Sequence, residues 1–282
     1  MSADLHCHTT MSDGSDTPEF VVGLAKRLKL SAIALTDHDY YAGGYRAHEI
    51  GERYGIRVIE GVECSCCDRE RGNKVHLLCY NCRYPEAMAA LLEKETRSRT
   101  EAVLKMTALV ARRFPVTEEA VMDGVSSSGF VGKQHIMLAL MKAGYTTEMY
   151  GALYRSLFHP KTGSCFVPFE DNDAVEAVKV LRETGGVIVL AHPSVYGSIA
   201  SLDDLIRTGI HGIELYHPQN TPEHQIVIRQ AAQQHRLLLT GGTDFHGYFT
   251  QTKRLMPLGT CTASDAQLAA LLEKSAQLWS VN

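Results

Sequence analysis

The stretch DLHCHTTMSDG, Asp4 to Gly14, places His6, Cys7, His8 and Asp13 within eleven residues. Read as a strand over ADLHCH (3–8) that runs into an Asp-Gly turn, it alternates faces. His6 and His8 then point one way and Cys7 the other. Two imidazoles on neighbouring same-face positions form a clamp for a divalent ion, and Cys7 is expected to pack into the layer behind them. An H-x-H pair alone is a weak signal. Its meaning depends on what the other strands bring beside it.

Six further apolar runs repeat the pattern of a strand, a polar end and then a helical segment. They are AIALTDHD (32–39), RVIEGVECSC (57–66), VHLLCY (75–80), GVIVLAHP (186–193), GIELYH (212–217) and LLLTGGTDFH (237–246). Strands alternating with helices predict a mostly parallel α/β sheet or barrel. The first helix has its own start signals: Thr17 to cap, Pro18 for the first position, and Phe20, Leu24 and Leu28 along one face. Similar helices are expected near 42–54, 172–185, 201–208, 222–235 and 264–277. Residues 84–163 break the rhythm. There YPEAMAALLEKETRSRTEAVLKMTALVARRF reads as a long helix with Met88, Leu91, Leu92, Leu109 and Val110 as its apolar stripe, followed by two or three shorter helices. This stretch is read as an all-helical insertion that helps cover the active site. It divides the α/β body into residues 1–83 and 164–282.

At 282 residues the chain can bury a large core, as one domain or two. No apolar run approaches the roughly 18–20 residues that span a bilayer. The N-terminus lacks a basic start followed by an apolar stretch. A cytoplasmic protein without a membrane partner is therefore expected. The net charge of −4 argues against a stable nucleic-acid partner but leaves room for a local basic pocket. Of the eight cysteines, five fall between 64 and 82. Cys79 and Cys82 have C-x-x-C spacing, which raises a zinc knuckle, but Cys64, Cys66 and Cys67 lack it and both groups sit in strand-like runs. Buried free thiols are the expectation, without disulfides.

The thirteen histidines are the compositional outlier. TDHD closes the second strand with Asp37, His38 and Asp39, and EGVE puts Glu63 at the end of the third. His76 opens the fourth, His192 closes VLAHP, and TGGTDFHG supplies Asp244 and His246 on one face of the last. In a parallel sheet or barrel, the carboxyl ends of strands share one rim. His76 reaches that rim only if the fourth strand runs against its neighbours. So many polar groups on one rim need partners or metals. Histidine with Asp and Glu, and no aligned thiolate, favours Mn²⁺, with Zn²⁺ or Fe²⁺ as alternatives. The set exceeds what one four- to six-coordinate ion uses, so two or three ions are implied, with Glu63 as the natural bridge.

Taken in order, HCH…D, TDHD, EGVE, VH, AHP and TDFHG resemble the PHP (polymerase and histidinol phosphatase) superfamily over nearly the whole chain. The resemblance implies a metal-dependent phosphoesterase on a distorted seven-stranded (β/α)7 barrel. GKQH, inside the helical insertion, resembles the stand-alone branch of nucleoside bisphosphate phosphatases, short-RNA 5′-exonucleases and cyclic phosphate dihydrolases. Carried over by position, the resemblance puts His6, His8, Glu63 and Asp244 on a first metal. It puts Glu63, His76 and His192 on a second, and Asp13, His38 and His246 on a third. Asp13 stands where some relatives have His. Asp37 and Asp39 are read as residues that orient ligands rather than bind metal.

Clustered divalent ions suit phosphoryl chemistry, and the expected reaction is in-line attack by a metal-bridging hydroxide on phosphorus. The leaving oxygen needs a proton, for which His217 in ELYHP and His135 in GKQH are candidates. Arg97, Arg99, Lys133, His135 and Lys161 in the insertion, with Lys253 and Arg254 in TKR, are candidate binders of a substrate phosphate. Relatives carry Arg-Pro-His where this chain has Lys133-Gln134-His135, and lysine lacks the bidentate fork of arginine. The expected substrate is a small phosphorylated metabolite: a nucleoside bisphosphate, a sugar phosphate or a cyclic phosphodiester. A 5′–3′ exonuclease on short oligonucleotides is the main rival, weakened by the 7% aromatic content and the acidic charge. A non-catalytic metal-binding module conflicts with the complete ligand set, and an amidohydrolase with the lack of a strand-end lysine.

Overall fold

A computed structural model describes residues 2–249 and 256–281. The runs read as strands become β1 (Ser2–Asp4), β2 (Ala32–Leu35), β3 (Arg57–Asp68) and β4 (Asn73–Tyr80), and later β6 (Val187–Leu190), β7 (Gly212–Tyr216) and β8 (Leu238–Gly241). Two-residue strands β5 (Asn172–Asp173) and β9 (Ala263–Ser264) are additions to the expected seven; they pair with the edges of β3 and β1. The sheet order is β8-β7-β6-β4-β3-β2-β1-β9, with β5 off this path. Most pairs are parallel, but β4 is antiparallel to both β3 and β6. That reversal brings the start of β4, and His76 with it, to the rim where the other strands end.

Past their named ends, β8 and β1 close the sheet on itself. Leu5 N–H donates to Gly241 O (3.1 Å), Phe245 N–H to His6 O (3.2 Å) and His8 N–H to Phe245 O (2.8 Å). Gly242 permits this approach, because a Cβ there would lie 2.3 Å from His6 Cβ. One apolar cluster joins Ala3, Leu5, Ala34, Leu78, Val187 and Val189 from strands on opposite sides of the sheet, which makes it the barrel interior. Leu268 and Leu271 of α10 (Asp265–Val281) join the same cluster.

Helices cover the outside. In α1 (Pro18–Arg27) the Thr17 side chain accepts from Phe20 N–H, a cap worth about 1 kcal/mol. Cys7 is buried among Val21, Val22, Ile33 and Leu35, in the layer between sheet and helix. The helix expected over 42–54 is interrupted: a short 3₁₀ turn ends at Arg46, whose φ is +54°, and α2 (Ala47–Tyr54) begins there. In the helical block, α3 (Ala89–Ala111), α4 (Glu118–Met122), α5 (Lys133–Lys142) and α6 (Ala152–Phe158) share a hydrophobic cluster of their own. The buried face of α3 departs from the expected stripe. Ala102, Val103, Met106 and Val110 are buried together with Glu95 and Arg99, whereas Leu91, Leu92 and Leu109 are only partly buried. The remaining helices α7 (Ala174–Glu183), α8 (Leu202–Thr208) and α9 (Pro222–His235) alternate with β6, β7 and β8. Among the described residues, no helix is long and apolar enough to cross a membrane.

Candidate metal centre

Glu63 on β3 is the hub of the rim. Its Oε2 lies 3.2 Å from His6 Nε2, 3.1 Å from His8 Nε2 and 3.4 Å from His38 Nδ1. Its Oε1 lies 2.9 Å from His76 Nδ1 and 2.8 Å from His192 Nε2. Asp244 Oδ1 is 3.4 Å from His6 Nε2 and 3.2 Å from His8 Nε2. Asp13 Oδ1 sits 3.1 Å from His246 Nε2, and its Oδ2 3.9 Å from His38 Nε2. The nine residues singled out from sequence therefore converge on one spot. Two of these nine, His192 (φ +22°) and Asp244 (φ +54°), and Asp39 next to His38 (φ +51°) are held in unfavourable backbone conformations. Such strain collects at functional sites.

The donor set fits divalent cations. His6 Nε2, His8 Nε2, His38 Nδ1, His246 Nε2 and Glu63 Oε2 are buried without a hydrogen bond. Each unpaired buried atom of this kind costs roughly 1–3 kcal/mol, and cations between them would satisfy them together. The ligand atoms form three overlapping groups, each within 4.8 Å: His6, His8, Glu63 and Asp244; His38, Glu63 and His76; and His8, Asp13, His38 and His246. His8 and His38 each belong to two groups, a sharing the sequence did not reveal. Burial opposes charge on Glu63, yet the imidazoles of His6, His38 and His76 hold its carboxyl well below the usual range. Burial likewise opposes a proton on His8, but the neighbouring carboxylates of Asp244, Glu63 and Asp13 push it up to about 10. Protons and cations therefore compete for the same atoms.

Buried carboxylates brace this cluster. Asp37 accepts from Thr9 N–H, Thr9 Oγ1, Ser12 Oγ and Tyr45 Oη at 2.7–2.9 Å, which fixes the loop after His8. Asp39 accepts from Ser65 N–H (2.9 Å) and from Arg99 Nη2 (2.6 Å). Glu214 on β7 escaped the sequence reading. It is buried, accepts from His192 N–H (2.8 Å), and lies 3.2 Å from His6 Nδ1. Its signal was a lone acid inside the apolar run GIELY.

A cleft of about 40 Å³ at the rim is lined by His38, Glu63, His76, His192, Tyr196, His217, Asp244 and His246. His217 Nε2 is 3.5 Å from Asp244 Oδ2, so this candidate stands beside the cluster. An adjoining cavity of about 310 Å³ lies between barrel and helical block. Lys74, Arg99, Lys133, Phe130, Tyr150 and Tyr154 are in its wall, and His38, His76 and Tyr196 face both spaces. Arg99 is tied to Asp39, Ser65 and Glu95, while its Nη1 is buried without a partner. Burial, then the nearby Lys74 and Arg99, push the Lys133 ammonium down to about 8. His135 is not in that wall; its Nδ1 accepts Gly132 N–H at the start of α5. Lys161 is exposed, with its neighbours His159 and Pro160 in the wall instead. Arg97 lines a different groove beside α3. Lys253 and Arg254 lie outside the described residues. Lys74 and Tyr196 were missed, the first two residues before His76 and the second four after His192.

Comparison with known proteins accords with this arrangement. The PHP domain family matches residues 4–102. Phosphoribosyl 1,2-cyclic phosphate 1,2-diphosphodiesterase of Eggerthella lenta is 40% identical over 251 residues, covering 88% of this chain and 95% of the relative. The 5′–3′ exoribonuclease Rnm of Escherichia coli is 31% identical over 252 residues, covering 86% and 84%. A structure from Bifidobacterium adolescentis, described as a metal-dependent phosphoesterase, superposes with a TM-score of 0.87 at 28% identity over 96% of both chains. With a relative 40% identical over 88% of this chain and 95% of its own length, the chain belongs to the PHP family and is a metal-dependent phosphoric ester hydrolase.

Proposed function

We propose that the substrate is a small cyclic phosphodiester of a phosphorylated sugar, whose ring is opened and whose resulting monoester is then hydrolysed. The observation that carries this reading is the cavity of about 310 Å³ beside the donor cluster, with Lys74, Arg99 and Lys133 in its wall. That volume is at the small end for ligand sites and suits one sugar phosphate better than a run of nucleotides. The relative from Eggerthella lenta, the more similar of the two curated relatives compared, is named for a cyclic sugar phosphate. Lysine at position 133 supplies charge without a planar fork, which suits a compact phosphate.

In this reading His6, His8, Glu63 and Asp244 hold one ion, Glu63, His76 and His192 a second, and Asp13, His38 and His246 a third. Divalent ions bound there, Mn²⁺ foremost, supply Lewis-acid polarisation of the phosphoryl group and a nucleophile at neutral pH. Lys133 and Lys74 bind the phosphate that does not react. Arg99, fixed by Asp39 and Ser65, offers its free Nη1 to the same group. His217 stands on the Asp244 side of the cleft and gives a proton to the leaving oxygen. Tyr196 faces both spaces and donates a hydrogen bond to the substrate as it passes from the first hydrolysis to the second. Phe130, stacked over His38 at 6.3 Å between centroids, helps keep water from the cavity.

Phosphorus NMR of the Mn²⁺-loaded enzyme tests the proposal with three substrates: phosphoribosyl 1,2-cyclic phosphate, a nucleoside 3′,5′-bisphosphate and a short 5′-phosphorylated RNA. The cyclic diester signal should disappear first, a monoester should rise and fall, and inorganic phosphate should accumulate. No turnover of the cyclic diester, with rapid consumption of the RNA, would replace this reading with the exonuclease one.

A further inference from the structure

The C-x-x-C that runs from β4 into the turn after it plays no part in the metal cluster or the substrate cavity. We propose that Cys79 and Cys82 form a reversible dithiol–disulfide site that reacts with low-molecular-weight disulfides. Their Sγ atoms lie 3.5 Å apart. Asn81, with φ of +50°, turns the chain so that Cys82 folds back beside Cys79. Three hydrogen bonds hold this turn: Asn81 N–H to Glu60 O (2.8 Å), Cys82 N–H to Tyr41 Oη (3.1 Å) and Trp279 Nε1–H to Asn81 O (3.2 Å). Gly186 gives the sulfurs their room. A Cβ there would lie 2.6 Å from Cys79 Sγ and 2.9 Å from Cys82 Sγ. A disulfide needs the sulfurs at about 2.05 Å, so the remaining closure is about 1.5 Å and the turn already supplies the direction.

The two thiols are not equivalent. Cys79 is wholly buried, whereas Cys82 is 8% exposed on the wall of a groove of about 870 Å³ that it shares with Tyr41, Arg83 and Arg97. A small disulfide can reach Cys82 from this groove. The hydrogen bond between the thiols lowers Cys82 below the usual thiol range and, together with burial, raises Cys79 well above it. The sulfur on the groove wall is thus the nucleophile and the enclosed one its resolving partner. Cys82 thiolate attacks one sulfur of a disulfide RSSR and expels RS⁻, leaving a mixed disulfide. Cys79 then loses its proton, attacks Cys82 Sγ and expels the second RS⁻. The two protons lost by the cysteines end on the two released thiols, so one RSSR becomes two RSH as the protein gains one S–S bond. Cys64 and Cys66, buried in the same cluster, do not line the groove.

The test equilibrates the metal-loaded full-length chain in glutathione buffers of graded ratio. Free thiols are then alkylated after denaturation, and the peptides are mapped by mass spectrometry. All eight cysteines are free thiols in the structure. Oxidising buffer should remove two of the eight alkylation sites, yield a peptide joined through Cys79 and Cys82, and restore eight on reduction. Cys79→Ser should stop at a glutathione adduct on Cys82, and Cys82→Ser should form no adduct at this pair. The reduced double variant should keep wild-type turnover, which separates this site from the metal centre. Eight alkylated cysteines in oxidising buffer, or a lost pair that maps elsewhere, overturns the proposal. The wild-type peptide map decides the matter even if the serine variants fold poorly.

Discussion

Glu214→Gln exchanges one carboxylate oxygen for an amide NH₂ at constant shape, and the geometry around Glu214 gives that exchange a specific consequence. Oε2 accepts from His192 N–H at 2.8 Å, and the two oxygens lie 3.2 and 3.4 Å from His6 Nδ1. A carboxylate in this place requires the His6 proton on Nδ1, which leaves the Nε2 lone pair facing Glu63 and Asp244. Glutamine has a single acceptor oxygen. If that oxygen keeps the His192 N–H, the NH₂ faces His6 Nδ1, which must then accept, and the proton moves to Nε2. A protonated Nε2 cannot bind metal. Hydrogen bonds to charged groups contribute about 1.5–3 kcal/mol, and partners of metal-binding histidines typically govern 10–100-fold in affinity. The two ranges agree, since tenfold corresponds to about 1.4 kcal/mol. The expected result is a Mn²⁺ half-saturation raised about 10–100-fold, with turnover at saturating Mn²⁺ within a few-fold of wild type. Activity measured against chelator-buffered free Mn²⁺, with calorimetry on the metal-free protein, reads both quantities. A half-saturation within about threefold of wild type would refute the claim that Glu214 sets the His6 tautomer.

Lys133 is charged below about pH 8 and neutral above it, so KM for a substrate with a second phosphate should climb as pH passes 8. Lys133→Met should raise KM about tenfold at pH 7 and flatten that profile, as initial rates across pH will show. Burial, then the charge of Asp39, raise Glu95 to about 8 against the pull of Arg99. A folded pKa above the unfolded value of 4.5 means that stability is fully present below about pH 4.5 and is lost as pH rises towards 8. Urea midpoints between pH 5 and 8.5 should therefore fall for the wild type and fall less for Glu95→Gln. Chelation should abolish turnover and lower the melting temperature. Free Mn²⁺ at a hundredfold over Kd stabilises one site by about 2.7 kcal/mol, or about 5–10 °C in a chain of this size; an unchanged Tm would contradict structural occupancy of the site.

The barrel was legible because its strands are apolar runs with polar ends, a pattern that survives without tertiary information. The convergence of the nine rim residues was legible for the same reason, including His76, whose place at a strand start required β4 to be reversed. What escaped depends on packing. Glu214 looks like any polar residue in a strand until the closed sheet sets it behind His6. On α3 the leucines suggested one buried face, but the face turned to the cavity is the one that buries Arg99 and Glu95. Polar residues facing a site erase the apolar periodicity from which helix orientation is read. The break at Arg46 depends on a left-handed residue that no local signal announced. His135 was named for its place in GKQH and Lys161 for its charge within the insertion; packing turned the first to capping α5 and left the second exposed past the end of α6.

In the proposed mechanism, one rim of this barrel gathers two or three divalent ions around Glu63. Anomalous diffraction at the manganese edge, from crystals of the Mn²⁺-loaded protein, tests it most directly. Two or three peaks are expected: one between His6, His8, Glu63 and Asp244, one beside His76 and His192, and, with three ions bound, one beside Asp13, His38 and His246. No peak at the rim, or a single ion that Glu63 does not touch, would contradict it.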